Sequence, residues 1–166
     1  MLKVIIYSLL VLVTTISNLS AKIGMGDVFD DWAEYCEPSQ SNQETCNLYQ
    51  TLSIKGSKKP LVSLRVQYIE GKKSPILFVT LPLGVLLNFP AKLEIAGQKL
   101  DLKYQFCEQE GCSTAIVLTA PMLKIMYASE KLLIKYVNKE RKWVGIPISL
   151  KGFQRGMAKI TPAKKP

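Results

Sequence analysis

Histidine is missing from all 166 residues. That absence excludes Ser-His-Asp and Cys-His nucleophiles, imidazole general bases, and zinc or haem held by histidine. Lysine, tyrosine, aspartate and glutamate remain, but no motif gathers them. Glu108 and Glu110 could be asked to act as an acid/base pair, yet alternate positions of a surface hairpin loop stay hydrated. Hydration gives no reason for the raised pKa a general acid needs. Acidic residues are few, 13 against 22 Lys+Arg, for a formal charge of +9. Asp27, Asp30, Asp31 and Glu34 form the one acidic run, without the spaced ligands and turn glycine of a calcium loop, and read as a solvated leader. Repeats, long linkers and low-complexity stretches are lacking as well. With 48% hydrophobic and 21% charged residues the chain has globular values and the length of one domain. No enzyme activity, metal or cofactor is expected.

One stretch is both apolar and uncharged, Val4 to Val13, after Met1-Leu2-Lys3 and before small polar residues that end at Ala21. A charged start, an apolar centre of about 7–15 residues and a small final residue describe a secretory signal peptide, here residues 1–21. The run falls short of the ~20 apolar residues that span a bilayer. The mature protein therefore reads as soluble and exported, with the periplasm first and secretion or the outer surface next. Residues 22–31 read as a flexible leader, 32–160 as the domain and 161–166 as a frayed tail.

Export changes the meaning of the four cysteines, Cys36, Cys46, Cys107 and Cys112. An even set in an oxidising compartment reads as disulfides. Four cysteines allow three connectivities, and spacing prefers the local pairs 36–46 and 107–112, each stapling a hairpin. Such short loops contribute roughly 2–3 kcal/mol each in the loop-entropy picture. Neither pair has the C-x-x-C spacing of redox catalysis, and the two spacings differ too much for paired zinc knuckles.

From Trp32 onward the dominant period is two. Cys46, Leu48, Leu52 and Ile54 alternate with Asn47, Tyr49, Thr51 and Ser53. Val62–Tyr68, Leu100–Phe106 and Val144–Leu150 alternate in the same way. Alternation means strands with one face in the core. Ile76–Leu81 and Lys131–Val137 are more evenly apolar and read as strands buried on both sides. Glycine, proline and lysine-rich turns fall between, so the fold class is mainly β, a sandwich or barrel. Two stretches read as short helices, Pro121–Glu130 and Gly152–Ile160, the second with Phe153, Met157 and Ile160 on one face.

Several pieces together resemble the invasion-associated locus B family of exported proteins of Gram-negative bacteria. They are Trp32 with Cys36 and Cys46, Leu81-Pro82-Leu83-Gly84-Val85, and Phe106-Cys107 through Gly111-Cys112. Met122-Leu123 and the ending Ile146-Pro147-Ile148-Ser149-Leu150-Lys151-Gly152-Phe153 complete the ordered set. The resemblance implies an immunoglobulin-like β-sandwich of antiparallel strands and a part in host-cell invasion in some pathogenic members. It brings no catalytic or cofactor residue. The chain departs from the pattern at Asn88–Gly97, which lacks the glycine before the strand and the aspartate after it.

Positive charge is the most visible surface feature. Lys58 and Lys59 (with Lys55), Lys72 and Lys73, and Lys139, Arg141 and Lys142 form clusters at turns, and Lys159, Lys164 and Lys165 close the chain. These suit an anionic partner such as envelope lipid or glycan; equally, lysine at turns guards edge strands against sheet-to-sheet pairing. No nucleic-acid module matches the pattern. Trp32 reads as core, whereas Trp143 lies on the Gly/Pro/Ser face of its strand and is open to either reading. The leading function is a non-catalytic invasion or envelope-accessory protein acting through protein or surface contacts. A carrier for anionic envelope lipids or glycans is the alternative, and an unrecognised hydrolase a weaker one.

Overall fold

The computed structural model describes residues 24–38, 44–57 and 59–162. The expected signal peptide, Lys58 and residues 163–166 of the tail lie outside the described residues.

Hydrophobic alternation becomes two antiparallel sheets. The larger runs in the order β1 (Gly24–Phe29), β2 (Trp32–Pro38), β3 (Glu44–Ser53), β4 (Pro60–Gln67), β5 (Ile76–Leu81), β9 (Gly111–Val117), β8 (Tyr104–Glu108). The smaller runs β11 (Trp143–Ser149), β10 (Lys131–Val137), β6 (Ala91–Ile95), β7 (Gln98–Leu102). Helix α1 (Ala120–Tyr127) joins β9 to β10, and α2 (Phe153–Ile160) follows β11 and packs on β1, β2 and β3. The result is a β-rich, sandwich-like fold with two short helices.

One face of each sheet is apolar because the side-chain period of a strand is two. Leu48, Leu64, Leu77 and Val79 of the larger sheet are buried in one cluster with Leu93, Ile134 and Ile148 of the smaller. Met126 of α1 and Phe153 and Met157 of α2 complete it. Trp32 is fully buried there, with its indole N–H donating to the Ser149 carbonyl at 3.0 Å and its ring 5.0 Å from that of Phe153.

Four expectations change. The leader is not a leader: Gly24–Phe29 is a strand paired with β2 from Gly24↔Cys36 to Phe29↔Trp32. Its acidic, glycine-rich composition hides a hairpin whose turn residue Asp30 takes φ 50°, a left-handed conformation Asp tolerates better than most residues. Ile76–Leu81 and Lys131–Val137 are not buried on both sides. Leu77, Val79 and Leu81, and Leu132, Ile134 and Tyr136, point inward; Phe78 is half-buried beneath the Arg65 guanidinium, 4.6 Å from its ring centre. On β3, Asn47 and Gln50 are buried and Ile54 lies beyond the strand, 60% exposed. Leu100–Phe106 is two strands, since the chain leaves β7 and enters β8 of the other sheet at Lys103, which turns Phe106 outward.

At the departure from the family pattern the chain makes a tight hairpin, Ile95↔Gln98, with both central residues left-handed, Ala96 at φ 46° and Gly97 at φ 78°. Right-twisted strands favour this primed turn, but Ala is strained in its first position by roughly 1 kcal/mol. Ala96→Asn is therefore expected to stabilise the protein by about 0.5–1 kcal/mol, read as a higher urea midpoint at unchanged slope.

Candidate functional site

The cysteines pair as spacing prefers: Cys36 with Cys46, and Cys107 with Cys112. Each pair occupies directly opposed positions of an antiparallel hairpin, β2–β3 and β8–β9. Glu34 brings a carboxylate oxygen within 4.8 Å of the first pair. Both sulfurs there are spent in a disulfide, so no thiolate is left for a metal. Buried Glu34 instead accepts the Asp27 backbone N–H at 3.3 Å.

The acidic run has a structural role that sequence reading missed. Asp30 pairs with Arg155, and Asp27 meets Lys159 at 3.1 Å. The hydrogen bond and charge of Asp27, and then the charge of Glu34, raise the Lys159 pKa. The first strand and the last helix are thus drawn together by opposite charges more than a hundred residues apart in sequence. No local pattern signals a pairing at that separation. Glu108 and Glu110, the other carboxylates considered, are exposed at the β8–β9 hairpin.

Topology separates the basic clusters. Lys59 precedes β4 and Lys72 and Lys73 follow it, all exposed, so eight strand residues place them at opposite ends of the sheet, roughly 25 Å apart. Lys139, Arg141 and Lys142 sit at the β10–β11 turn of the smaller sheet. Lys59 is thereby set apart from Lys72 and Lys73, and the β10–β11 turn carries a third group.

The outward face of the smaller sheet gathers a different set. Trp143 is 48% exposed, with the ammonium groups of Lys92 and Lys135 at 5.5 and 5.7 Å from its ring centre. Lys92 also faces Asp101 at 3.5 Å, and Lys135 faces Glu94 at 3.3 Å. Strand register explains the cluster: Lys135 lies between Lys92 on β6 and Gly145 on β11, where an added Cβ would meet the Leu133 and Lys135 side chains. Next to it Glu94, Lys99, Lys131, Leu133 and Pro147 line an open cleft of about 330 Å³. Paired charges around an exposed indole suit contact with a polar surface rather than enclosure of a small substrate.

Three tyrosines have raised pKa values. Burial, then the neighbouring Tyr136, pushes Tyr104 up to about 12, and its hydroxyl has no hydrogen-bond partner among the described residues. Burial also raises Tyr136, and burial followed by Tyr68 raises Tyr127. Phenolate is favoured in the unfolded chain, so stability that is complete below pH 10 should fall as pH rises from 10 to about 12. Absorbance titration should show a tyrosine that ionises near pH 12, well above the ordinary phenol, and Tyr104→Phe should make the alkaline decline shallower.

Disulfide-stapled hairpins, a core Trp32 and the closing Gly152-Phe153 helix start now stand together in one fold. A family model described as Invasion associated locus B (IalB) protein matches residues 32–161. The chain belongs to the invasion associated locus B family. The fold of this family member is similar to the crystal structure of invasion associated protein B from Bartonella henselae. The TM-score is 0.69 at 16% identity, covering 81% of this chain and 92% of that one. A comparison with curated proteins finds no match. Invasion associated locus B proteins are not known enzymes, and membership brings no catalytic or cofactor residue to this chain. None of its described helices is long and apolar enough to cross a membrane.

Proposed function

We propose that this protein is exported by cleavage after Ala21 and acts in the periplasm, or beyond it, as a non-catalytic envelope-accessory or invasion protein working by surface contact. Family membership across residues 32–161 carries the reading. Two further features support it. Both cysteine pairs are disulfides, which persist in oxidising compartments. The exposed face around Trp143 offers a rigid surface of paired charges and indole. The solved relative is named for invasion, and that role is proposed here for this chain. The sandwich is further proposed to be a divergent immunoglobulin-like one; two antiparallel sheets around a shared core, with the chain crossing between them after β5, β7 and β9, support it.

Mass and peptide mapping of protein from the cell envelope, reduced and non-reduced, tests export: residues 1–21 should be gone and both bridges intact. A deletion strain should lose host-cell entry or envelope integrity, restored by the parent gene. Restoration should fail when Trp143 is replaced by Ser, a change expected to leave folding intact because the indole is half exposed. Full complementation by that variant would exclude the Trp143 face, and an unaltered deletion strain would exclude the function.

A further inference from the structure

The connection between β5 and β6 is unusual for a solvent-facing loop. Leu83, Leu87 and Phe89 are 55%, 58% and 41% exposed, three large apolar side chains within seven residues. The loop is held in place. Val85 bridges Asn138, the Leu86 N–H donates to the Val137 carbonyl at 2.9 Å, and Phe89 N–H closes a turn onto Leu86 at 3.1 Å. Those bonds fasten it to the β10–β11 turn, which carries exposed Lys139, Arg141 and Lys142. Glu140 is the one acidic residue of that turn and offsets Lys139 at 3.9 Å. The basic turn is itself locked, with Asn138 Oδ1 accepting the Lys142 N–H at 2.9 Å.

Arg141 adds a second observation. It takes φ 60°, the left-handed position of a short hairpin loop that glycine ordinarily fills. A long cationic side chain there costs backbone stability that glycine would keep. Apolar side chains at a tip with cations on the adjoining turn are complementary to one surface chemistry. Anionic headgroups meet the cations while the apolar groups enter the acyl boundary.

We propose that the β5–β6 connection and the β10–β11 turn form one docking tip for an anionic phospholipid bilayer. The protein lies on the membrane through this tip and does not span it. The inference rests on export to the envelope but not on a role in invasion. It also selects among the basic clusters: Lys72 and Lys73 precede β5, at the opposite end of that strand from the connection, and play no part, whereas Lys59 stands at the same end as the connection.

The test is co-sedimentation of the envelope-purified protein with vesicles of phosphatidylcholine, with or without one-third phosphatidylglycerol. Binding should require phosphatidylglycerol and weaken as salt rises. Each basic residue near such a surface is worth a factor of about five, so replacing Lys139, Arg141 and Lys142 by Gln, Gly and Gln should weaken binding on the order of 100-fold. Arg141→Gly relieves its backbone, so misfolding is not the expected cause of that loss. Replacing Leu83, Leu87 and Phe89 by Ser should likewise abolish binding, with thermal unfolding unchanged. A Lys72→Glu, Lys73→Glu variant should bind as the parent does. No vesicle binding by the parent overturns the proposal while leaving an invasion role testable by deletion. Inhibition by soluble glycerol phosphate points to a phosphate site instead, and concentration-dependent dimerisation lost in the Ser variant points to a second copy; either result overturns it.

Discussion

Trp32→Ala should lose about 3–5 kcal/mol, the range for removing a large buried aromatic side chain, and most of the margin that holds a small domain folded. The magnitude follows from where three elements meet. Trp32 opens β2, its N–H is taken by Ser149 at the end of β11, and its ring lies against Phe153 at the start of α2. Truncation opens a cavity between the two sheets and beneath the helix together. It also leaves the Ser149 carbonyl with the Gln50 side-chain N–H, a weaker contact at 3.3 Å. Trp32→Phe separates the contributions by keeping an aromatic ring and discarding the donor, and should lose about 1–3 kcal/mol. Urea unfolding of the two variants measures both. A Trp32→Ala midpoint that shifts stability by less than about 0.5 kcal/mol, the range of surface substitutions, would contradict the assignment of Trp32 as the joint between the layers.

The same residue shows how far the sequence could be read. Its place before a cysteine hairpin predicts burial, because a buried sandwich Trp beside a disulfide is ordinary. Its partners Ser149 and Phe153, more than a hundred residues away, leave no local mark. Period-two alternation likewise reveals β4 and β11 and their inward faces, and the turn-length spacing of the cysteines reveals both bridges. Alternation cannot tell which sheet a strand joins, which is why Leu100–Phe106 read as one strand though it crosses between sheets at Lys103. Composition misleads at β1, where acidic residues that suggest a solvated leader are bound to Arg155 and Lys159 instead. For function, charge clusters were legible but their grouping was not, because grouping depends on which strand ends coincide. The exposed loop Leu83–Phe89 carried a visible signal, an apolar run beside a turn. It matters only once the loop is bonded to the basic turn at Val137 and Asn138.

Gly152→Ala should be at least as damaging as the loss of Trp32, for a different reason. Gly152 caps α2 at φ 80°, and a Cβ built there would lie 1.8 Å from the Phe29 carbonyl oxygen and 2.4 Å from its carbon. Those atoms are backbone and cannot rotate away, because Phe29 is held opposite Trp32 in the first hairpin. Either α2 must lift from the sheet, exposing Phe153, Met157 and Ile160, or β1 must detach. Both routes break the Asp30–Arg155 and Asp27–Lys159 pairs. Gly97→Ala is the matched control. Gly97 has nearly the same left-handed φ of 78°, yet nothing lies within 4 Å of its added Cβ. It should lose only the conformational cost, about 1–2 kcal/mol, against more than about 4 kcal/mol for Gly152→Ala. Limited proteolysis distinguishes the routes: early cleavage within residues 24–31 means that β1 has released, and cleavage within 153–160 means that the helix has. Equal losses for the two glycine variants would show that backbone conformation, not the approach of Phe29, requires the glycine at 152.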